Sequence, residues 1–430
     1  GMSPRSDRPL LRQIDSAALD RIVREHARFA DGGSGGSRAD LSHADLRQIV
    51  WDGVDLRGAD LSGAWLTDAA LAGARLDRAI LFGASLAGAD LRGASLEGAD
   101  LRGAALRGAN LCEARLAGAD LREGRIAVQN TVHGFQILQH EAREGGLDYA
   151  VASGATFDDV QLGAGGGRVV DLRDTDLKGA DLAGVQMSEA RLDGANLTGA
   201  RVTGADLAGA SLRGALVTGV DLSAAGMAGA HLEGLLTGPP AIVFIDEEPL
   251  HQRVAEHQEW IDTEGVDGRA AHLPGADFRG LGRLRGRRLA AIRAPGGVFF
   301  GMDLSGCRLQ GADLSGADLR QCDLSGADLR GARLTGALLT RANLRGARLS
   351  PLTVAAGRVA RTDLCRAVLR GANLAGADLT RARLLAAELA GARFDGAEVA
   401  MAEFDPVVRP GERQPSEAAP GALAPLARSA

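Results

Sequence analysis

The sequence predicts an all-β fold of the solenoid kind, in which the chain coils around its own narrow core and short helices cap or interrupt the coil. The first observation is a spacing. From Gly311 to Leu334 the chain reads GADLSGADLRQCDLSGADLRGARL, with leucine at 314, 319, 324, 329 and 334. An α-helix turns about 100° per residue, so steps of five scatter the leucines around the cylinder. A flat strand alternates its side chains, so an odd period sends Leu314 and Leu319 to opposite faces. The period works only where the backbone turns a corner within every five residues and each short side presents the same positions inward. The second observation is compositional. The 430 residues are 45% apolar but only 3% aromatic, with 60 glycines, so small and aliphatic groups build the core, which suits a narrow repetitive interior.

The elements follow in order. In the N-terminal segment, 1–36, the residues Leu19, Ile22, Val23, His26 and Phe29 fall on one helical face that stops at Gly32 and Gly33. A first repeat module, 37–240, starts its register at Leu41 and steps through Leu46, Trp51, Leu56 and Leu61 to Leu121 and Ile126. It resumes from Leu172 to Met227 and Leu232. The step from Ile126 to Phe157 is one more than a multiple of five, so the segment 127–156 interrupts the coil. Val132, Phe135, Leu138 and Ala142 are spaced there like a helix face, and Leu147, Tyr149 and Val151 alternate like a strand, which predicts a helix-strand excursion. A linker and second helix occupy 241–272, with Leu250, Val254, His257 and Ile261 on one face after Pro249, a good first-turn residue. The second module, 273–404, carries the longest run, from Phe299 and Leu304 through Leu389, Phe394 and Val399 to Phe404. Trp51, Gly167 and the stretch from Leu281 to Ala294 fit the pattern badly. The tail 405–430, rich in Pro, Ala and Ser, has no register and is expected to be disordered.

The two helical segments also match each other. Leu19 aligns with Leu250, His26 with His257, Phe29 with Trp260 and Arg38 with Arg269, each pair 231 apart, and a five-residue run follows each segment. The match implies an internal duplication in which a short helix covers the open end of a coil, because an uncovered end exposes unpaired backbone groups and leucine side chains. Runs such as GADLRGASLEGADLRGAALRGANL, from Gly88 to Leu111, resemble the pentapeptide-repeat proteins, and the A(D/N)LxG pattern covers about two thirds of the chain. The resemblance implies a right-handed quadrilateral β-helix, four five-residue sides per coil, with the central Leu and the Ala two before it pointing inward. The period alone leaves four sides or three.

Function is read from what lines the outside. A four-sided coil places Asp40, Asp60, Asp100 and Asp120 in one outward column and Asp303, Asp323, Asn343 and Asp363 in another; backbone N–H groups at the corners are expected to bond these side chains. Some pentapeptide-repeat proteins resemble B-DNA in shape and charge and bind type II topoisomerases, protecting them from quinolones, so the resemblance raises DNA mimicry as an alternative function. A mimic needs an acidic face. Here Leu41 to Ile126 carries 12 acidic residues against ten arginines, and in the later run arginines such as Arg308, Arg320, Arg330, Arg333, Arg345 and Arg348 outnumber the acids. Asp beside Arg cancels the field.

Direct nucleic-acid binding is disfavoured because aspartates interleave with the arginines and stacking aromatics are scarce. The net charge of −6 and the lack of a long apolar run argue against a membrane partner. An enzyme is not expected: His26 and His257 read as packing residues of the caps, and His133 and His140, seven apart, have no cysteine or clear carboxylate companion. No catalytic, cofactor-binding or metal residues are therefore named, and no cofactor. Cys307 and Cys322 stand where Ala usually does and read as buried fillers; Cys112 and Cys365 read as outward, and all four as free thiols. What remains is a non-enzymatic rigid solenoid scaffold for protein–protein interaction, its protein partner unknown and a homodimer left open. No signal-peptide architecture is read at the N-terminus, so a cytoplasmic address is expected.

Overall fold

The computed structural model describes residues 11–406 apart from 123–124, 131–133, 140–146, 148–149, 151, 153–154, 158–159 and 163–168. The chain divides into two compact units, Gly1–Gly238 and Pro239–Ala430. Each is a coil of the expected kind, and one corner shows how it is built. The N–H of Ala64 donates to the carbonyl of Leu61 at 3.0 Å, closing a tight turn over Ser62 and Gly63. Gly63 has φ 64°, the left-handed conformation that the third residue of such a turn requires and that glycine adopts without a Cβ clash. The straight part of each side pairs with the coils before and after it: Asp60 N–H donates to Ala39 O at 3.1 Å, and Leu61 N–H to Ile80 O at 2.7 Å. Bridged partners recur at every twentieth position, as in Asp40, Asp60, Ile80, Asp100 and Asp120. Twenty positions at five per side give four sides, so the coil is a quadrilateral β-helix.

The interior follows from the same geometry. Leu61, Leu66, Leu71 and their counterparts fill the centre, and the alanines two residues earlier fill the corners; nearly all are inaccessible to solvent. Each buried leucine contributes about 1.5–3 kcal/mol relative to an exposed one, and the corner position takes mostly alanine, with Val54, Val185, Cys307 and Cys322 buried there as well. Trp51 packs against this core at a leucine position.

Unit 1 opens with Arg12 bridged to Ala44 and then the helix α1, Ser16–Ala30. Asp15 caps α1 by accepting the Ala18 N–H at 2.8 Å, the usual service of a short polar side chain to an orphan donor. The helix buries Leu19 and His26. The coil is interrupted between β1, Asp120–Leu121, and its parallel partner β4, Gln161–Leu162. Between them β2, Arg125–Asn130, and β3, Gly134–Gln139, pair antiparallel, from Arg125 opposite Gln139 to Asn130 opposite Gly134. The helix expected from Phe135 and Leu138 is therefore a strand: the i, i+3 spacing of two apolar residues is equally available to an extended chain rich in Val, Ile and Phe. Val132 and Ala142 lie outside the described residues, as do Tyr149 and Val151 of the expected strand, Gly167 and the tail from 407.

Unit 2 opens with a short hairpin, β5, Phe244–Ile245, and β6, Glu248–Pro249, followed directly by α2, Leu250–Asp262. Its coil begins at Ala271 and Leu273, both buried, and continues inward through Phe278, Leu284, Leu289 and Ala294. The poor fit of the stretch after Leu281 has a local cause. His272 and Arg293 bridge at a spacing of 21 because a 3₁₀ turn, Phe278–Leu281, holds one extra residue. A larger departure was invisible in the register: β7, Leu352–Ala355, and β8, Arg358–Ala360, leave the coil as an antiparallel hairpin. Val354 and Val359, which the fivefold count turns inward, are exposed. The hairpin's base is held by buried Thr362, whose hydroxyl accepts the Gly331 N–H at 2.9 Å.

Candidate interaction faces

The outward aspartates have two local tasks. In the first column Asp40, Asp60, Asp100 and Asp120 each accept the N–H two residues on, at 3.1, 3.0, 3.2 and 3.1 Å; in unit 2 Asp303, Asp323 and Asn343 do the same at 3.0, 3.0 and 3.1 Å. These are the expected corner bonds. A second set, one residue after the central apolar position, reaches the next coil: Asp52 accepts the Ala72 N–H at 3.0 Å and Asp193 the Arg213 N–H at 3.1 Å.

The tripeptide Asp-Leu-Arg adds a charge pair. Arg102 grips Asp100 with Nε on Oδ1 at 2.8 Å and Nη2 on Oδ2 at 2.7 Å. Arg47, Arg92, Arg122, Arg173, Arg320 and Arg330 repeat the fork on the aspartate two before each. The fork holds the Asp100 and Asp120 carboxyls below their ordinary values. Along one face of unit 2 the charges alternate coil by coil: Arg293, Asp313, Arg333, Asp363, Arg383, Glu403. Arg383 stands 3.6 Å from Asp363 and 3.4 Å from Glu403. Asp363 therefore belongs beside Arg333 and not, as the four-sided count placed it, beneath Asn343, whose partner is Asn373; the hairpin β7–β8 adds two sides' worth of chain and moves Asp363 round to another face. These faces are dense in charge and close to neutral within a few ångströms.

Among the described residues no set of three His, Cys, Asp or Glu could hold a metal ion. His133 and His140 lie outside the described residues. Cys307 and Cys322 are buried and point Sγ at the carbonyls of Leu284 and Phe299, 2.7 and 2.9 Å away; burial raises the Cys307 thiol to about 11 and the Cys322 thiol further still. Such thiols are inert fillers. Cys112 and Cys365 are half-buried, and all four cysteines remain thiols. His26 and His257 are fully buried, and the spacing that found them gave no hint that both bond the backbone of a first coil. Arg38 and Arg269, aligned in sequence, part company: Arg38 donates to Gly58 O at 2.7 Å, whereas Arg269 binds Glu256.

Besides the β2–β3 hairpin, two features among the described residues leave the regular surface. One is the hairpin β7–β8, with Val354 56% and Val359 45% exposed beside exposed Arg358. The other is a cleft of about 360 Å³ lined by Ala241, Ile242, Val243, Leu250, His251 and Leu281.

The family model for pentapeptide repeats matches eight times, at 37–71, 66–98, 89–125, 171–207, 203–234, 303–341, 318–350 and 362–399, which is more than half of the chain. The chain belongs to the pentapeptide-repeat family. Its fold is the right-handed quadrilateral β-helix of that family, and the matches break off at 125 and at 350, where the two hairpins begin. No curated protein sequence matches this chain. Similar solved structures include a trypsin-treated form of QnrB1, a plasmid-mediated fluoroquinolone resistance protein, at 14% identity over 52% of this chain and 95% of that one, TM-score 0.28. HetL, a pentapeptide repeat protein involved in heterocyst differentiation regulation from the cyanobacterium Nostoc, is 21% identical over 91% and 97%, TM-score 0.15. A pentapeptide repeat protein of the Arabidopsis thaliana thylakoid lumen is 25% identical over 36% and 70%, TM-score 0.17.

Proposed function

We propose that this pentapeptide-repeat protein is a non-enzymatic, rigid solenoid scaffold that binds a protein partner, and that recognition is concentrated where the chain leaves the coil. The observation that carries the reading is the contrast between the faces and the hairpin. The Asp-Leu-Arg forks and the alternating ladder leave the faces little net field, so they offer poor purchase to nucleic acid or to an anionic membrane. Val354 and Val359 instead present apolar surface beside Arg358 on a projecting element, the combination that interface cores favour. No helix among the described residues is long and apolar enough to cross a membrane. A cytoplasmic address goes with the reading, as the setting in which thiols persist unoxidised.

Removal of residues 351–360 tests it. The deletion restores a four-sided coil, so the variant is expected to fold, and a partner captured by the full chain from native cytosol should be lost with it. A partner retained by the variant would move recognition back to the faces. The alternative, mimicry of DNA toward a type II topoisomerase, draws on the aspartate column of unit 1; it is upheld if the full chain protects such an enzyme from a quinolone in a supercoiling assay, and the forks predict that it does not. Scattering on the purified chain decides between monomer and homodimer.

A further inference from the structure

The two buried histidines do the same unusual thing. Nε2 of His26 lies 2.8 Å from Arg57 O, and Nδ1 is 2.9 Å from the N–H of Ala39. In unit 2, Nε2 of His257 lies 2.8 Å from Ala290 O, and Nδ1 is 2.9 Å from the N–H of Ala271. An amide can only donate and a carbonyl can only accept, so this geometry requires a neutral ring with its proton on Nε2. In the body of the coil the same groups are satisfied by repeats: Ala64 N–H bonds Leu61 O, and Asp77 O, one coil beyond Arg57, receives Gly58 N–H. At the first coil the earlier turn is missing, and an imidazole stands in for it. The device occurs at the opening of each unit, on a helix in each case.

The His257 ring meets the Ala290 carbonyl, the Ala271 N–H and the Trp260 ring, whose centroid lies 5.4 Å away. The charged groups on the elements around the cap are Arg253, Glu256 and Asp262 of α2, Glu248 of β6, Arg269 from the loop that follows, and Arg287 and Arg288 of the coil, and they pair among themselves or with Gln258. The carboxylates are already engaged: Glu248 with Arg253 and Arg269, Glu256 with Arg269, and Asp262 with Arg288. Arg287 is on Gln258, and His251 and His272 are exposed. A proton on Nδ1 would set its N–H against that of Ala271 in a buried site.

We propose that the α2 cap is a proton-operated latch: neutral His257 seals the first coil of unit 2, and protonation of Nδ1 releases the helix and opens the backbone edge between Ala271 and Arg293. Burial holds the ring's pKa below its ordinary value, opposed by the Ala290 bond. The opened or unfolded chain therefore takes the proton more readily, and the closed latch loses stability as pH falls below about 6.5 toward the folded value.

The test is amide exchange on the full chain at about pH 7.5 and about pH 5.5, bracketing the free imidazole value and corrected for intrinsic rates, with ¹⁵N spectra of the His257 ring. Segments 250–262 and 271–293 should exchange about tenfold faster at the lower pH, the factor carried by one pH unit, while 304–349 stays unchanged. The ring should show one bare and one protonated nitrogen at the higher pH. His257→Gln, which takes up no proton in this range, should abolish the acid response; persistence of that response in the variant would overturn the latch. If the variant's cap is open at both pH values, the ring titration decides. An opening midpoint that coincides with loss of the bare Nδ1 upholds the latch, and one that does not overturns it.

Discussion

The two hairpins leave their coils by different arithmetic. Across β2–β3 in unit 1 the ladder partner of Asp120 is Gln161, an offset one longer than a multiple of five; across β7–β8 in unit 2 the partner of Arg333 is Asp363, an offset that is a whole multiple of five. The first offset breaks the fivefold register, and the second preserves it. Val354 and Val359 consequently stand at leucine positions while lying outside the coil, and Leu349 and Leu364 on either side of them are buried. A periodic pattern thus reports where a chain may turn inward, while the decision rests on whether a coil above and below supplies partners for its backbone.

The sharpest way to break this comparison is to truncate the same repeat position on both sides of it. Leu349→Ala should cost about 2–5 kcal/mol, since it empties a close-packed core between two coils. Val354→Ala should change stability by no more than about 0.5 kcal/mol, as for a surface site. Urea unfolding of the two variants measures both. Equal costs would mean that the hairpin is packed as part of the coil.

The caps are where the two units agree, and they supply the next test. The loop leaving each helix crosses back over its last turns at a glycine. A Cβ on Gly36 would collide with the backbone at Phe29, and one on Gly268 with the backbone at Glu256 and Trp260. The positions are 232 apart, like Ala39 and Ala271, which the histidines bind. Gly36→Ala and Gly268→Ala should each cost about 1–3 kcal/mol by overpacking, read as a drop in Tm together with faster amide exchange confined to the cap. A loss in one unit only would mean that the duplication preserved sequence without preserving construction.

Much of this was legible beforehand, for reasons that particular residues make plain. The fivefold leucines imply a corner every five residues, and the corner carbonyls, amides and aspartates then have few places to go, so the Asp60 to Ser62 bond was foreseeable. The four-sided section and the hand came from family resemblance. The imidazole caps were not legible, because a histidine on an apolar helix face looks the same whether it fills space or bonds an orphan amide; only the position of Ala39 and Arg57 in three dimensions separates the two. The same holds for Asp363, whose face depends on an insertion that leaves no trace in the register.

Gln48 is the mirror image of Val354. It occupies the turn position where the repeat has glycine, so the sequence departs from the pattern, yet the chain obeys it: Gln48 has φ 60°, and its N–H still reaches Thr67 O at 2.9 Å. A non-glycine residue in this conformation costs about 1–2 kcal/mol, and glycine gives back about 0.5–1 kcal/mol in chain entropy. Gln48→Gly should therefore stabilise unit 1 by about 0.5–1 kcal/mol, a small effect and the only favourable one. The side chain is exposed, so little packing is lost to confuse the measurement. A gain in the urea midpoint without a change in slope would show that the ladder forces its residues into the corner even where local preference resists. No gain would mean that the first coil yields at this corner to suit its residue, which is what the coil of unit 2 does on a larger scale when it releases Val354 and Val359.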